Sequence, residues 1–96
     1  MIVHIVMFKF SEENKKENLL VVKSKLEELA SKIPVLEKME VGIDFNQSER
    51  AFDLSLYSTF ATKDDLKAYA VHPAHLEVVD LIKKVTKISK VVDYEI

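Results

Sequence analysis

His4, His72 and His75 are the only side chains in this sequence whose ordinary pKa lies near neutrality. Two of them bracket Pro73 and Ala74, and Tyr69 stands just before that break. A proline disfavours helical geometry in the residue before it and suits the first turn of a new helix. His75 therefore falls in a first turn, where the positive helix end lowers imidazole basicity and favours the neutral, proton-accepting ring. That is the form a general base needs. Tyr69, one turn back across the break, can aim its hydroxyl at the same space and polarise a carbonyl. His4, set among apolar residues near the start of the chain, can complete a polar cluster beneath them. Such a trio suits proton abstraction beside a carbonyl.

Each of these residues also has a structural reading. His72, held non-helical by Pro73, is first of all a helix cap, with a place against substrate as its candidate functional role. A hydrogen-bonded His75, a core His4 and a Tyr69 that merely fills space would all be ordinary. The histidine spacing is not that of a helical zinc pair, so no metal is expected. Asp53 and Asp93 lie among apolar residues and should be paired or turned to solvent. Ser55, Ser58 and Thr59 lack the glycines of a nucleophile elbow, which argues against a serine hydrolase.

The wider composition narrows the field. The chain has 96 residues, 48 % of them hydrophobic and 31 % charged, which suits one small soluble domain over residues 1–96 with a thin core that dimerisation would supplement. With no cysteine it has no disulfide, thiolate metal site or thiol nucleophile, and a cytoplasmic location is expected. Its single glycine, Gly42, excludes phosphate loops and the dinucleotide fingerprint, so no cofactor of that kind is expected. The formal net charge is -2 and Arg50 is the only guanidinium, which argues against nucleic acid. The lysines Lys83, Lys84, Lys87 and Lys90 sit between Asp80 and Asp93 and read as a solvated face. No apolar run approaches the roughly 18 residues of a membrane span.

The elements that must position the histidines follow from periodicity. Ile2 to Phe10 is a strand apolar on both alternating faces. Ser11 offers a cap for a helix marked by Val22, Leu26, Leu29 and Ile33 and ended by Pro34. Met39 to Phe45 and Phe52 to Phe60 alternate as two antiparallel strands around a polar turn. Thr62 and Asp65 form a variant capping box for a short helix, broken at His72-Pro73 and followed by a helix through Leu76, Val79, Ile82 and Val85. A strand from about Ile88 to Ile96 closes the chain. The order βαββαβ predicts a ferredoxin-like α+β fold with helices on one face of a four-stranded antiparallel sheet. One layer of helices leaves the other apolar face bare, so a homodimer is expected.

The whole pattern is similar to the stress-responsive alpha/beta-barrel domain family, often abbreviated Dabb. The resemblance rests on Met1-Ile2-Val3-His4-Ile5-Val6, Phe8-Lys9, Ile33-Pro34, Glu40-Val41-Gly42, Phe52-Asp53-Leu54, Phe60 and above all Tyr69-Ala70-Val71-His72-Pro73-Ala74-His75. Val35 departs from the glycine common after Ile-Pro. The resemblance implies a dimeric α+β barrel and, from the polyketide cyclases of the family, cofactor-free aldol closure of a poly-β-ketone. In that branch the residues matching Tyr69 and His75 form the acid–base pair, with the one matching His4 nearby. Two other readings stand beside the cyclase: a non-catalytic dimer that binds small apolar molecules or serves a structural role in stress, and a cofactor-independent oxygenase.

Overall fold

The computed structural model describes residues 1–96. Its elements are β1 (Ile2–Phe10), α1 (Lys15–Lys32), β2 (Lys38–Ile43), β3 (Leu54–Phe60), α2 (Lys63–Val71), α3 (Pro73–Val85) and β4 (Thr86–Glu95). The four strands form one antiparallel sheet in the order β2-β3-β1-β4, the ferredoxin-like arrangement. The helices lie on one face of it. There Phe8, Phe10, Leu54, Leu56 and Phe60 of the sheet pack against Val22, Leu26, Leu29, Tyr69, Val78 and Ile82 of the helices. Burying a leucine such as Leu26 or Leu29 contributes about 1.5–3 kcal/mol.

The register assigns every strand residue to a face. Ile2, His4, Val6 and Phe8 pair with Phe60, Ser58, Leu56 and Leu54 on the helix side. Val3, Ile5 and Met7 point the other way, beside Thr59, Tyr57 and Ser55 of β3 and Tyr94, Val92 and Lys90 of β4. No helix covers that second face: Val3 and Thr59 at one end of it are buried, but Met7, Val92 and Tyr94 are 42 %, 52 % and 42 % exposed. This is the bare apolar side that the two-faced first strand requires.

Several boundaries differ from the sequence reading. Ser11 does not cap α1: its N–H donates to the Val85 carbonyl, Glu12 to Asn14 form a turn, and Asn14 enters the helix in the left-handed region at φ 52°. The side chain of Lys15 explains the late start, because it reaches back to the buried Asp53 at 3.0 Å. Asp53 also accepts from the Phe10 N–H at 2.7 Å, so it is paired, as an aspartate among apolar residues must be. Phe45 lies outside β2 and is 94 % exposed, since the Asp44 carboxylate accepts from the Gln47 N–H and turns the chain there. β4 begins directly at Thr86, whose hydroxyl donates to the Ile82 carbonyl at 2.9 Å. The cap at Thr62 is as expected, its hydroxyl accepting from the Asp65 N–H at 3.1 Å.

Candidate functional site

The break between α2 and α3 builds the site. Pro73 has no N–H to offer the Tyr69 carbonyl, which accepts from the His72 N–H at 3.1 Å instead. The Ala74 N–H, which an unbroken helix would direct to the Ala70 carbonyl, donates to Nδ1 of His72 at 3.1 Å. His72 is thus the cap of α3. The Ala70 carbonyl, released from helical duty, lies 3.0 Å from Nδ1 of His75. A carbonyl only accepts, so Nδ1 of His75 donates and Nε2 keeps its lone pair. Burial lowers the pKa of His75 below the usual 6.5, and positive charge on His4 or His72 acts in the same direction, against the opposing pull of the Ala70 carbonyl. The ring is neutral at pH 7.

His4 reaches the same place from the sheet. Its register partner on β4 is Asp93, and the Asp93 carboxylate hydrogen-bonds its Nδ1. An ionised carboxylate accepts, so Nδ1 donates to it and Nε2 is the nitrogen not engaged by Asp93. The Ser58 hydroxyl donates to the His4 carbonyl at 3.0 Å and ties that strand position to β3.

Tyr69 lies between the two imidazoles. Its ring centroid is 4.3 Å from that of His75, 6.3 Å from that of His4 and 5.0 Å from that of Phe60. The residue is 1 % exposed, and its hydroxyl is fully buried with no hydrogen-bond partner. Burial drives the phenol pKa far above its ordinary value, so the group keeps its proton and acts only as a donor or neutral acceptor.

His4 and His75 line a cavity of about 220 Å³ between the sheet and α3, walled by Val6, Leu56, Val78, Val79 and Ile82. Tyr69 backs the two histidines rather than lining this space, and His72 lies outside it. A larger hollow of about 360 Å³ beside Gly42, Phe45 and Phe52 carries no imidazole or phenol. No three histidine or acidic side chains converge in the way a metal ion requires.

The family model of the stress responsive A/B barrel domain matches residues 2–96. The chain belongs to this family. Among solved structures it is similar to a dimeric protein of unknown function with a ferredoxin-like fold from Bacteroides fragilis, at 35% identity and TM-score 0.91, covering 99% of this chain and 95% of that one. A dimeric ferredoxin-like protein of unknown function from Jannaschia is 28% identical with TM-score 0.83, covering 99% of this chain and 98% of that one. The hydroxynitrile lyase of Passiflora edulis shares the fold at 20% identity and TM-score 0.86, covering 97% of this chain and 90% of that one. No curated protein matches in sequence.

In this stress responsive A/B barrel chain, the segment from Tyr69 to His75 is the helix break itself. Three of the four expected site residues, His4, Tyr69 and His75, come together, whereas His72 serves the backbone. Two further residues at the site had no functional reading from sequence. Asp93 was expected only to be paired, and its partner is the site residue His4, 89 positions away. Lys83, read as part of a solvated face, stands at the rim of the cavity. Periodicity shows which face of an element a residue shares, but it does not carry the register between β1 and β4.

Proposed function

We propose that this protein is a cytoplasmic, self-associating catalyst that uses its own imidazoles and phenol for acid–base chemistry of the aldol or cyclase type on a small carbonyl compound. The observation that carries this reading is the pair His4 and His75, both lining one apolar cavity, with Nδ1 of His75 committed to the Ala70 carbonyl and its Nε2 left to accept a proton, backed by a buried phenol whose hydroxyl has no partner. Nε2 of His75 removes a proton from a carbon between two carbonyls. The electron pair moves onto a carbonyl oxygen, which must pass between the two imidazoles to take a hydrogen bond from the Tyr69 hydroxyl buried behind them. The enolate carbon attacks a second carbonyl, a carbon–carbon bond forms, and the new alkoxide takes the proton back from His75. His4, held by Asp93, orients the substrate, since His75 is already held by the Ala70 carbonyl.

A positioned base contributes about 100- to 10,000-fold. The hydroxynitrile lyase that shares the fold bears a name from the same broad chemistry, proton transfer at an oxygen next to carbon–carbon bond making or breaking. Self-association has two supports, the uncovered apolar sheet face and relatives described as dimeric.

The test is deuterium exchange at the central carbon of an enolisable β-diketone, followed by nuclear magnetic resonance and corrected for the buffer rate. Exchange that drops at least 100-fold in His75→Ala supports the proposal. A His75→Ala protein that exchanges as fast as the parent refutes it and leaves the non-catalytic binding dimer as the better description.

A further inference from the structure

The cavity that holds His4 and His75 is polar at both ends and apolar between them. At one end are the two imidazoles. At the other, Lys83 of α3 and Ser89 of β4 stand exposed at the rim, with Val6, Leu56, Val79 and Ile82 in between. Helix geometry gives the separation of the two ends: His75 and Lys83 are a little over two turns apart, about 12 Å at ~1.5 Å per residue. The sheet gives a similar figure independently. His4 pairs with Asp93 and Phe8 with Ser89, and the step from one pair to the other is about 13 Å at ~3.3 Å per residue. The space suits an extended molecule of small cross-section. At ~30 Å³ each, it would hold about seven waters.

The far end is built to take a negative charge. Lys83 has no carboxylate within salt-bridge distance, which is also true of Lys9, Lys16, Lys38, Lys67, Lys84, Lys87 and Lys90, but it is the lysine that lines this cavity. The Ser89 hydroxyl makes no hydrogen bond within the chain, whereas that of Thr86 is committed to the Ile82 carbonyl. The only carboxylate at the opposite end, on Asp93, is held by His4. Lys83 also lies in the last turn of α3, where the negative end of the helix opposes anions, so one ammonium and one hydroxyl there suit a single charge better than a phosphate dianion.

We infer that the cavity takes a small enolisable ketone with a carboxylate at the far end of its carbon chain, held by Lys83 Nζ and the Ser89 hydroxyl while the acidic carbon meets His75. The fate of the carbon rests on the acid–base reading above; the anchor does not.

The test compares 4,6-dioxoheptanoate with its methyl ester, which keeps the diketone and removes the charge. Binding is measured by chemical-shift titration of the full-length protein, and turnover by deuterium exchange at the methylene between the ketones. The acid is expected to bind at least about tenfold more tightly than the ester. Lys83→Gln, an exposed and structurally mild change, should erase that preference and leave ester binding unaltered. Ser89→Ala should remove a smaller share. Equal binding of acid and ester by the native protein, a preference that survives Lys83→Gln, or no saturable binding of the acid each overturns the inference. Exchange that needs His75 but ignores the carboxylate defeats the anchor and leaves the acid–base reading standing. Binding of the acid that depends on Lys83, without exchange above the buffer rate, defeats the acid–base reading and leaves the anchor.

Discussion

Replacing Tyr69 by phenylalanine should stabilise the protein while it disables the chemistry. The hydroxyl is fully buried and meets no donor or acceptor, and the residue is 1 % exposed. A buried polar group without a partner is destabilising by about 1–3 kcal/mol. The substitution removes that group and leaves every ring carbon packed on Phe60 and His75. Tyr69→Phe is therefore expected to raise stability by about 1 kcal/mol or more, which is about 4–8 °C in Tm for a domain under 100 residues. Exchange of the β-diketone should fall about 100-fold, as when one donor to a developing oxyanion is removed. Thermal unfolding by circular dichroism and urea unfolding would be run at matched protomer concentration, because self-association stabilises by mass action. A lower Tm would show that the hydroxyl makes a bond that supports the fold. A higher Tm with undiminished exchange would refute its role as oxyanion donor.

Stability should fall in acid through His75: the unfolded ring takes up a proton near its ordinary pKa of 6.5 and the folded ring resists, so this contribution is intact above that pH and is lost as pH drops toward the lowered folded value. Urea midpoints at pH 7.5 and pH 5.5 should therefore differ less in His75→Asn than in the parent. Asp93→Asn should slow exchange about tenfold and change stability by less than about 1 kcal/mol, since the Asp93 side chain is 46% exposed; imidazole nitrogen shifts would show whether His4 keeps its proton on Nδ1. Val92→Asp puts a charge on the bare sheet face, on the edge strand β4 beside Ile5, and sedimentation at micromolar concentration should find monomers where the parent forms dimers.

The order of elements was legible because each had its own local signal. Thr62 with Asp65, Pro73 after His72, and the two apolar faces of β1 each follow from neighbouring residues, and each is present. Errors fell where a distant partner overrides a local preference. Ser11 is a good cap by type, yet the chain beyond it must turn so that Lys15 can reach Asp53. Phe45 alternates as a strand residue should, but Asp44 and Gln47 close the turn first. In the site, His75 and Tyr69 were visible as neighbours across a helix break. The Asp93 partner of His4 was not, because antiparallel register is a property of two strands and is not written in either. Lys83 looked like solvent-facing charge since a cavity at the rim of a helix leaves no trace in periodicity.

The interruption at Pro73 makes the chemistry of this chain separable from its architecture. A continuous helix would reclaim the Ala70 carbonyl and leave the imidazole two residues past the proline with no fixed tautomer, although neither histidine had changed. A descendant could thus fall silent, or an inert relative awaken, through one alteration in backbone continuity. Inventories of side chains alone would place such proteins in the wrong group.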